Sequence, residues 1–157
     1  MESAALKPAT PQFLNREILS RSTTVLLLGL VVSVVSFVLL GRGSPIGPLA
    51  LWLGAQVALV VMRIHHVVVT RGHTESDAID AAVSRYLLLT FFSGCLWASL
   101  LLLVDSGSSF SYQLIVFTSL LLVSSGSLYL YAAQPMLQMA FSLPILLPLV
   151  PWSFIHF

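Results

Sequence analysis

The chain has 157 residues, of which 57% are hydrophobic and only 8% are charged, and its formal net charge is +1 at pH 7. A soluble domain carries about 25% charged residues, so too few polar side chains are present to cover a water-facing surface. With a mean hydropathy of +0.97, the chain is predicted to be an integral membrane protein whose main partner is the lipid bilayer. The sequence has no basic patch, which argues against a nucleic-acid partner.

The N-terminal residues 1–21 are polar and are predicted to form a cytoplasmic tail, with a helical lead-in over 15–21. The apolar run over 22–41 follows, and it reaches the roughly 20 residues that a helix needs to cross a hydrocarbon core. It leads into the sequence GRGSP and not into a small-x-small cleavage site. We therefore expect a retained membrane helix instead of a cleaved signal peptide.

Four further apolar runs are predicted to span the membrane, over 46–69, 86–104, 112–132 and 136–157. The runs are continuously apolar, whereas the strands of a membrane barrel alternate between apolar and polar residues. Only helices and closed barrels satisfy the backbone hydrogen bonds in lipid. The predicted fold class is therefore all-α, an integral membrane bundle of about five transmembrane helices over 22–157.

The connections between these spans are short, except for residues 70–85, which form the one long hydrophilic connection. Its pattern of apolar residues predicts a short amphipathic helix inside the connection. The connection between the fourth and fifth spans ends at Pro135. Proline is well suited to the first turn of a helix because its missing N–H needs no partner there. We therefore expect the fifth span to begin near this residue.

A face of small residues marks the second span. Ala50, Gly54 and Ala58 recur at four-residue spacing, and small residues at this spacing let another membrane helix approach closely. This pattern predicts that the protein forms a homo-oligomer through small-residue helix faces.

The distribution of Lys and Arg predicts the orientation of the chain. The N-terminal tail holds Lys7, Arg16 and Arg21, the segment 63–85 holds three more Arg residues, and each of the other connections holds one such residue or none. Since positive charge accumulates on the cytoplasmic side, the N-terminus is predicted to be cytoplasmic. Five spans then predict that residue 157 lies on the outer side of the membrane.

The sequence VVMRIHHVVVTR places Arg63, His65 and His66 in the second apolar run. Adjacent residues of a helix point about 100° apart, so the two histidines cannot chelate one metal together. The simplest interpretation is interfacial, with the helix leaving the bilayer here and Arg63 snorkelling towards the lipid headgroups. The alternative is a pH- or ligand-responsive interface, because histidine titrates in the physiological range.

The sequence carries no catalytic constellation, since it holds no phosphate loop, no HExxH and no CxxC motif. We predict no metal site and no cofactor, and we do not expect an enzyme. No Asp, Glu, Lys or Arg falls at the centre of a predicted span, which argues against an ion-coupled transporter. Five hydroxyls of the fourth span are interpreted as helix-packing groups, with the lining of a ligand cavity as the alternative: Thr118, Ser119, Ser124, Ser125 and Ser127.

Three prolines, Pro144, Pro148 and Pro151, lie in the fifth span and share one helix face because their spacings are four and three. Each proline removes the hydrogen bond to the carbonyl four residues earlier. We expect this face to curve the helix around a cavity and to allow two alternative packings.

The second half of the chain also shows an ordered set of residues within the sequences RY, FFSGCLWA, QP and MAFSLPILLP: Arg85, Tyr86, Gly94, Trp97, Pro135, Phe141, Pro144 and Pro148. This order resembles the N-terminal multi-helix membrane sensor regions of bacterial diguanylate cyclases and hybrid sensor histidine kinases, over roughly residues 60–150. The resemblance implies a sensory module of the bacterial inner membrane that acts on a cytoplasmic output domain. Six spans are common in that family, so five spans imply that the return helix and the output domain are missing from this chain.

Three functions fit these features. The first is a signal-input domain for two-component or cyclic-di-GMP signalling that binds a small or lipid-like ligand between its helices. The second is a small oligomeric transport or channel subunit, and the third is a non-catalytic partner in a larger membrane complex. For the first function, the candidate residues for ligand binding or signal coupling are Arg63, His65, His66, Arg85, Trp97, Pro144 and Pro148.

Overall fold

Five α-helices make up the part of the fold that the structure describes. A computed structural model of the protein describes residues 11–42, 45–70, 76–103, 109–131 and 135–156. In chain order the helices are α1 (Pro11–Leu40), α2 (Ile46–Thr70), α3 (Ser76–Ala98), α4 (Phe110–Tyr131) and α5 (Pro135–His156). The described ranges contain no strand, and the predicted all-α fold class is confirmed.

Four of the helices contain segments that are long and apolar enough to cross a membrane: Ile46–Thr70, Ala81–Leu103, Phe110–Leu128 and Pro135–Phe154. These segments match the second to fifth predicted spans closely. In α1 the apolar segment with described side chains is Leu26–Leu40, which is shorter than a full span. The first predicted span, over 22–41, therefore stays a prediction.

The hydrophilic parts of the chain are more helical than predicted. The helix α1 begins at Pro11, so the second half of the predicted tail is helical, while residues 1–10 lie outside the described residues. The helix α3 begins at Ser76 and runs without a break into the membrane segment. Helix is thus present within 70–85 as predicted, but it is the first part of α3, because no glycine or proline interrupts the chain between Ser76 and Gly94.

The helices form a closed ring in which each packs against two main neighbours, in the order α1, α2, α3, α5, α4 and back to α1. The contact between α3 and α5 is the most extensive of these. At Gly94 of α3 the two backbones come so close that an added Cβ atom would lie under 3.0 Å from the carbonyl oxygen of Phe141 in α5. Glycine is needed at this position because no side chain fits between the helices.

Two tryptophans join α2 to α3 inside the ring. Trp52 packs edge-to-face against Trp97, with ring centroids 5.3 Å apart. The indole N–H of Trp52 donates a hydrogen bond to the carbonyl oxygen of Leu96 at 2.8 Å. This carbonyl lies where α3 tightens into the 3₁₀ segment Ser99–Leu103, and the Ser99 hydroxyl also donates to it at 2.7 Å. Two side-chain donors therefore stabilise the point at which α3 changes from an α-helix to a 3₁₀-helix.

We expect Trp52→Phe to lower the free energy of unfolding by roughly 1–2 kcal/mol, because the variant loses one interhelical hydrogen bond and part of a buried ring. The loss is moderate because Ser99 still donates to the Leu96 carbonyl. Thermal unfolding of the purified protein in detergent measures the change. An unaltered unfolding temperature would show that the Trp52 hydrogen bond contributes nothing.

The outer surface of the ring is apolar, as a bilayer requires. Leu102 is 86% exposed and Phe154 is 84% exposed, and such side chains would be costly in water. The small residues Ala50, Gly54 and Ala58 are also exposed on the outside of α2. They are thus not used to pack helices within one chain, and the predicted homo-oligomer stays a prediction.

Candidate functional site

Arg63 lies inside the helix bundle and does not extend to its surface. Its side chain is only 3% exposed, and it is seven residues, or about 10 Å at 1.5 Å per residue, from the end of α2 at Thr70. The interpretation of Arg63 as a snorkelling residue is therefore wrong. The physical reason is that α3 supplies polar partners, so the guanidinium does not need to reach the membrane surface.

Tyr86 and Thr90, one helical turn apart on α3, hold the Arg63 guanidinium. The Nη2 atom of Arg63 donates to the Tyr86 hydroxyl at 3.0 Å and to Thr90 Oγ1 at 3.1 Å. Thr90 in turn donates its own hydroxyl proton to the Tyr86 carbonyl at 2.7 Å, which turns its lone pairs towards Arg63. The guanidinium carbon also lies 4.8 Å from the Tyr86 ring centroid, a distance that allows a cation–π interaction.

A cavity of about 410 Å³ is formed between the helices of the ring. It is open to the outside, since Leu28 and Leu122 in its wall are 59% and 58% exposed. Every helix contributes to its wall, for example Val32 of α1, Val60 of α2, Trp97 of α3, Val123 of α4 and Phe141 of α5. The wall is mainly apolar, with a few polar side chains: Gln56, Arg63, Ser93, Ser125 and Ser127. An apolar cavity with a small number of polar groups has the composition of a ligand-binding site.

Gln56 is the most unusual residue of this wall. Its side chain is 2% exposed, and its amide nitrogen Nε2 has no hydrogen-bond partner among the described residues. A buried donor without a partner costs about 1–3 kcal/mol, and in lipid no water is at hand to compensate. Gln56 precedes Arg63 by seven residues, so both lie on the same face of α2, two turns apart.

Two glycines leave room for the cavity. Gly29 of α1 and Gly126 of α4 both belong to its wall. A Cβ atom added at either position would meet no atom within 4 Å. The space in front of these glycines is therefore open, and a larger side chain at either position can be placed beside the cavity without a backbone clash.

The structure separates the predicted candidate residues into two groups. Arg63 and Trp97 lie together in the cavity wall. His65 is exposed, and His66 is half-buried and its Nε2–H donates to the Ala82 carbonyl at 2.9 Å, so the two histidines face different sides of α2. Arg85 is exposed on α3. Within the described ranges, these residues are not brought together in one site.

The prolines of α5 lie beside the site and not in it. The helix is continuous from Pro135 to His156 although it contains three prolines. Pro144 is half-buried, Pro148 is exposed, and the α5 residue in the cavity wall is Phe141. The expected roles of Pro144 and Pro148 in signal coupling stay predictions.

The hydroxyls of α4 serve both of the roles that the sequence suggested. Ser125 and Ser127 belong to the cavity wall. Ser127 also donates to the Ser124 carbonyl at 2.6 Å and lies 3.2 Å from the hydroxyl oxygen of Ser142 in α5. Away from the cavity, the Ser36 hydroxyl of α1 donates to that of Ser119 at 3.2 Å. Helix packing and cavity lining are thus combined on one helix.

Gln56 was not among the site residues predicted from the sequence, although the sequence contains a pattern that indicates its burial. The buried residues of α2 follow steps of three, four and seven: Leu49, Trp52, Gln56, Arg63 and Val67. This spacing is typical of the inner face of a packed helix. A polar residue on such a face, in line with the only arginine of the run, predicts a buried polar pair.

Comparisons with known proteins found no match, either to a family model or to a curated protein or solved structure. The interpretation of the site therefore depends on the geometry of the bundle: a cavity inside a membrane-type helical ring, with a buried cation and an unpartnered amide donor in its wall.

Proposed function

We propose that this chain is a membrane-embedded signal-input domain that responds to occupancy of the cavity. The observation that supports the proposal is the cavity of about 410 Å³ inside the ring, with walls from all five helices. In the proposed setting, the chain is a multi-pass protein of the bacterial inner membrane with a cytoplasmic N-terminus. The output domain would be a histidine kinase or a diguanylate cyclase.

Occupancy can act on the bundle because the cavity touches every helix. A ligand that binds one packing of the ring better than another shifts the population towards that packing. Trp97 is in the wall and also contacts Trp52, while Phe141 is in the wall and carries the carbonyl that lies against Gly94. Binding of a ligand in the cavity would thus directly alter the packing of α3 against α2 and against α5.

The resemblance to sensor regions supports the same function. Three residues of that pattern lie at or beside the cavity: Trp97 and Phe141 belong to its wall, and Gly94 lies against the Phe141 carbonyl. The exposed small residues of α2, Ala50 and Gly54 among them, support a homo-oligomer, which would let a packing change in one chain alter its contact with a second.

Filling the cavity tests the proposal without knowledge of the ligand. The chain is fused through an added transmembrane helix to a diguanylate cyclase, and cyclic-di-GMP is measured in cells. We expect Gly126→Leu to shift the output at least severalfold, up or down, because its side chain occupies the cavity. The control is Ser111→Leu, on the same helix but at an exposed position outside the cavity wall.

Equal output from the wild type, the filled variant and the control would contradict a signal-input function. Equal amounts of each fusion in the membrane are verified by immunoblotting.

A small transport subunit is the second candidate, and the burial of Arg63 favours it. A permanent cation inside a membrane helix is often part of a path for an anion, and Arg63 lies in the cavity wall. Flux measurements on proteoliposomes separate the two functions. If the wild type releases a trapped anionic dye and Gly126→Leu does not, the transport function is correct and the signal-input proposal is not.

A further inference from the structure

We infer that the cavity binds a single-chain amphiphile with a carboxylate headgroup, that is, a free fatty acid. This inference rests on the proposed function, since it names the ligand of the same cavity. It depends on three observations: an amide donor without a partner among the described residues, a buried guanidinium on the same helix face, and a mainly apolar wall.

The polar part of the wall selects an anionic acceptor. Gln56 Nε2 is a buried donor that has no acceptor among the described side chains, so the ligand must bring an oxygen acceptor. Arg63, two turns further along the same face, adds a permanent positive charge to the same wall. A carboxylate accepts charge-assisted hydrogen bonds and is attracted by that charge, whereas a cationic headgroup would be repelled.

The apolar part of the wall selects a hydrocarbon chain. Outside the polar side chains the wall consists of aliphatic and aromatic groups, among them Leu26, Val32, Leu122 and Phe141. A volume of about 410 Å³ lies at the lower end of the range of ligand pockets, roughly 300–1,000 Å³. This space suits one acyl chain with a small headgroup.

Laurate is the probe for the test. Tritiated laurate is bound to the full chain in nanodiscs, with empty nanodiscs subtracted, and is competed with unlabelled laurate, dodecanol or dodecyltrimethylammonium. We expect dodecanol, which has the same chain but no charge, to compete at least tenfold more weakly than laurate, and the cationic compound more weakly still. Equal competition by laurate and dodecanol would overturn the inference.

Two variants locate the binding site. We expect Gln56→Leu to weaken laurate binding roughly tenfold or more, because the headgroup loses a hydrogen bond. The same variant should unfold at the same or a higher temperature without laurate, because a buried donor without a partner has been removed. Gly126→Leu should abolish saturable binding, and Ser111→Leu should not change it.

Unchanged laurate affinity in Gln56→Leu would overturn the assignment of the headgroup, and so would a lower unfolding temperature, which would show that Gln56 has a structural partner. The two proposals can fail separately. If laurate does not bind but Gly126→Leu still shifts the cyclase output, only the ligand class is wrong. If laurate binds but the output of Gly126→Leu equals that of the wild type, the signal-input function is wrong.

Discussion

Replacement of Gly94 by alanine is expected to destabilise the protein by about 2–3 kcal/mol, the largest effect that we predict for a single methyl group. The added Cβ atom would lie under 3.0 Å from the carbonyl oxygen of Phe141 and 3.2 Å from its carbonyl carbon. Both atoms belong to the backbone of α5, so they cannot rotate away as a side chain could. The helices α3 and α5 would have to separate, although theirs is the most extensive contact of the ring.

Gly29→Ala is the matched control, since it adds the same methyl group to another helix, α1, at a position with no atom within 4 Å. Alanine is also the better helix former, so this control should be neutral or slightly stabilising. Thermal unfolding of both variants in the same detergent gives the comparison. Equal unfolding temperatures for Gly94→Ala and Gly29→Ala would contradict the close approach of α3 and α5.

The second large effect is expected from a double-mutant cycle on Arg63 and Tyr86. Tyr86→Phe removes the hydroxyl that accepts a hydrogen bond from Arg63 at 3.0 Å but keeps the ring below the guanidinium. We expect this change to cost about 1–2 kcal/mol, because the hydrogen bond is charge-assisted and lies within a membrane helix bundle. In a background of Arg63→Met the same change should be nearly neutral.

The difference between the two costs is the coupling energy of the pair. Reversible unfolding of the four proteins in mixed micelles gives the four free energies of unfolding. A coupling energy of zero would contradict the hydrogen bond between Arg63 and Tyr86. A Thr90→Val variant in the same two backgrounds tests the second contact, at 3.1 Å, in the same way.

The helices could be predicted well from the sequence because their ends are marked locally. The second span was predicted as 46–69 and the structure has Ile46–Thr70, since a proline- and glycine-rich turn precedes it and a hydrophilic segment follows it. The start of α3 was predicted less well, as a hydrophilic stretch can be helical when nothing breaks it, and the sequence from Ser76 onwards contains no break before Gly94.

The candidate site could be predicted only in part because it depends on contacts between distant residues. An arginine near the end of an apolar run can reach the surface or turn inwards, and the partners that decide this, Tyr86 and Thr90, are 23 and 27 residues away. The order of the helices in the ring places α5 beside α3, and no local sequence pattern predicts this order. The burial of Gln56 could have been predicted from the sequence, because its spacing from Arg63 indicates the inner face of α2.

The measurement that tests the central claim most directly is the output of the cyclase fusion in nanodiscs during a titration with laurate. If occupancy of the cavity is the signal, the rate of cyclic-di-GMP formation changes with laurate and saturates where binding saturates. In Gln56→Leu the laurate concentration for half of the effect should rise by the same factor as the dissociation constant, since binding and response are linked. A cyclase rate that stays constant while laurate fills the cavity would contradict the account.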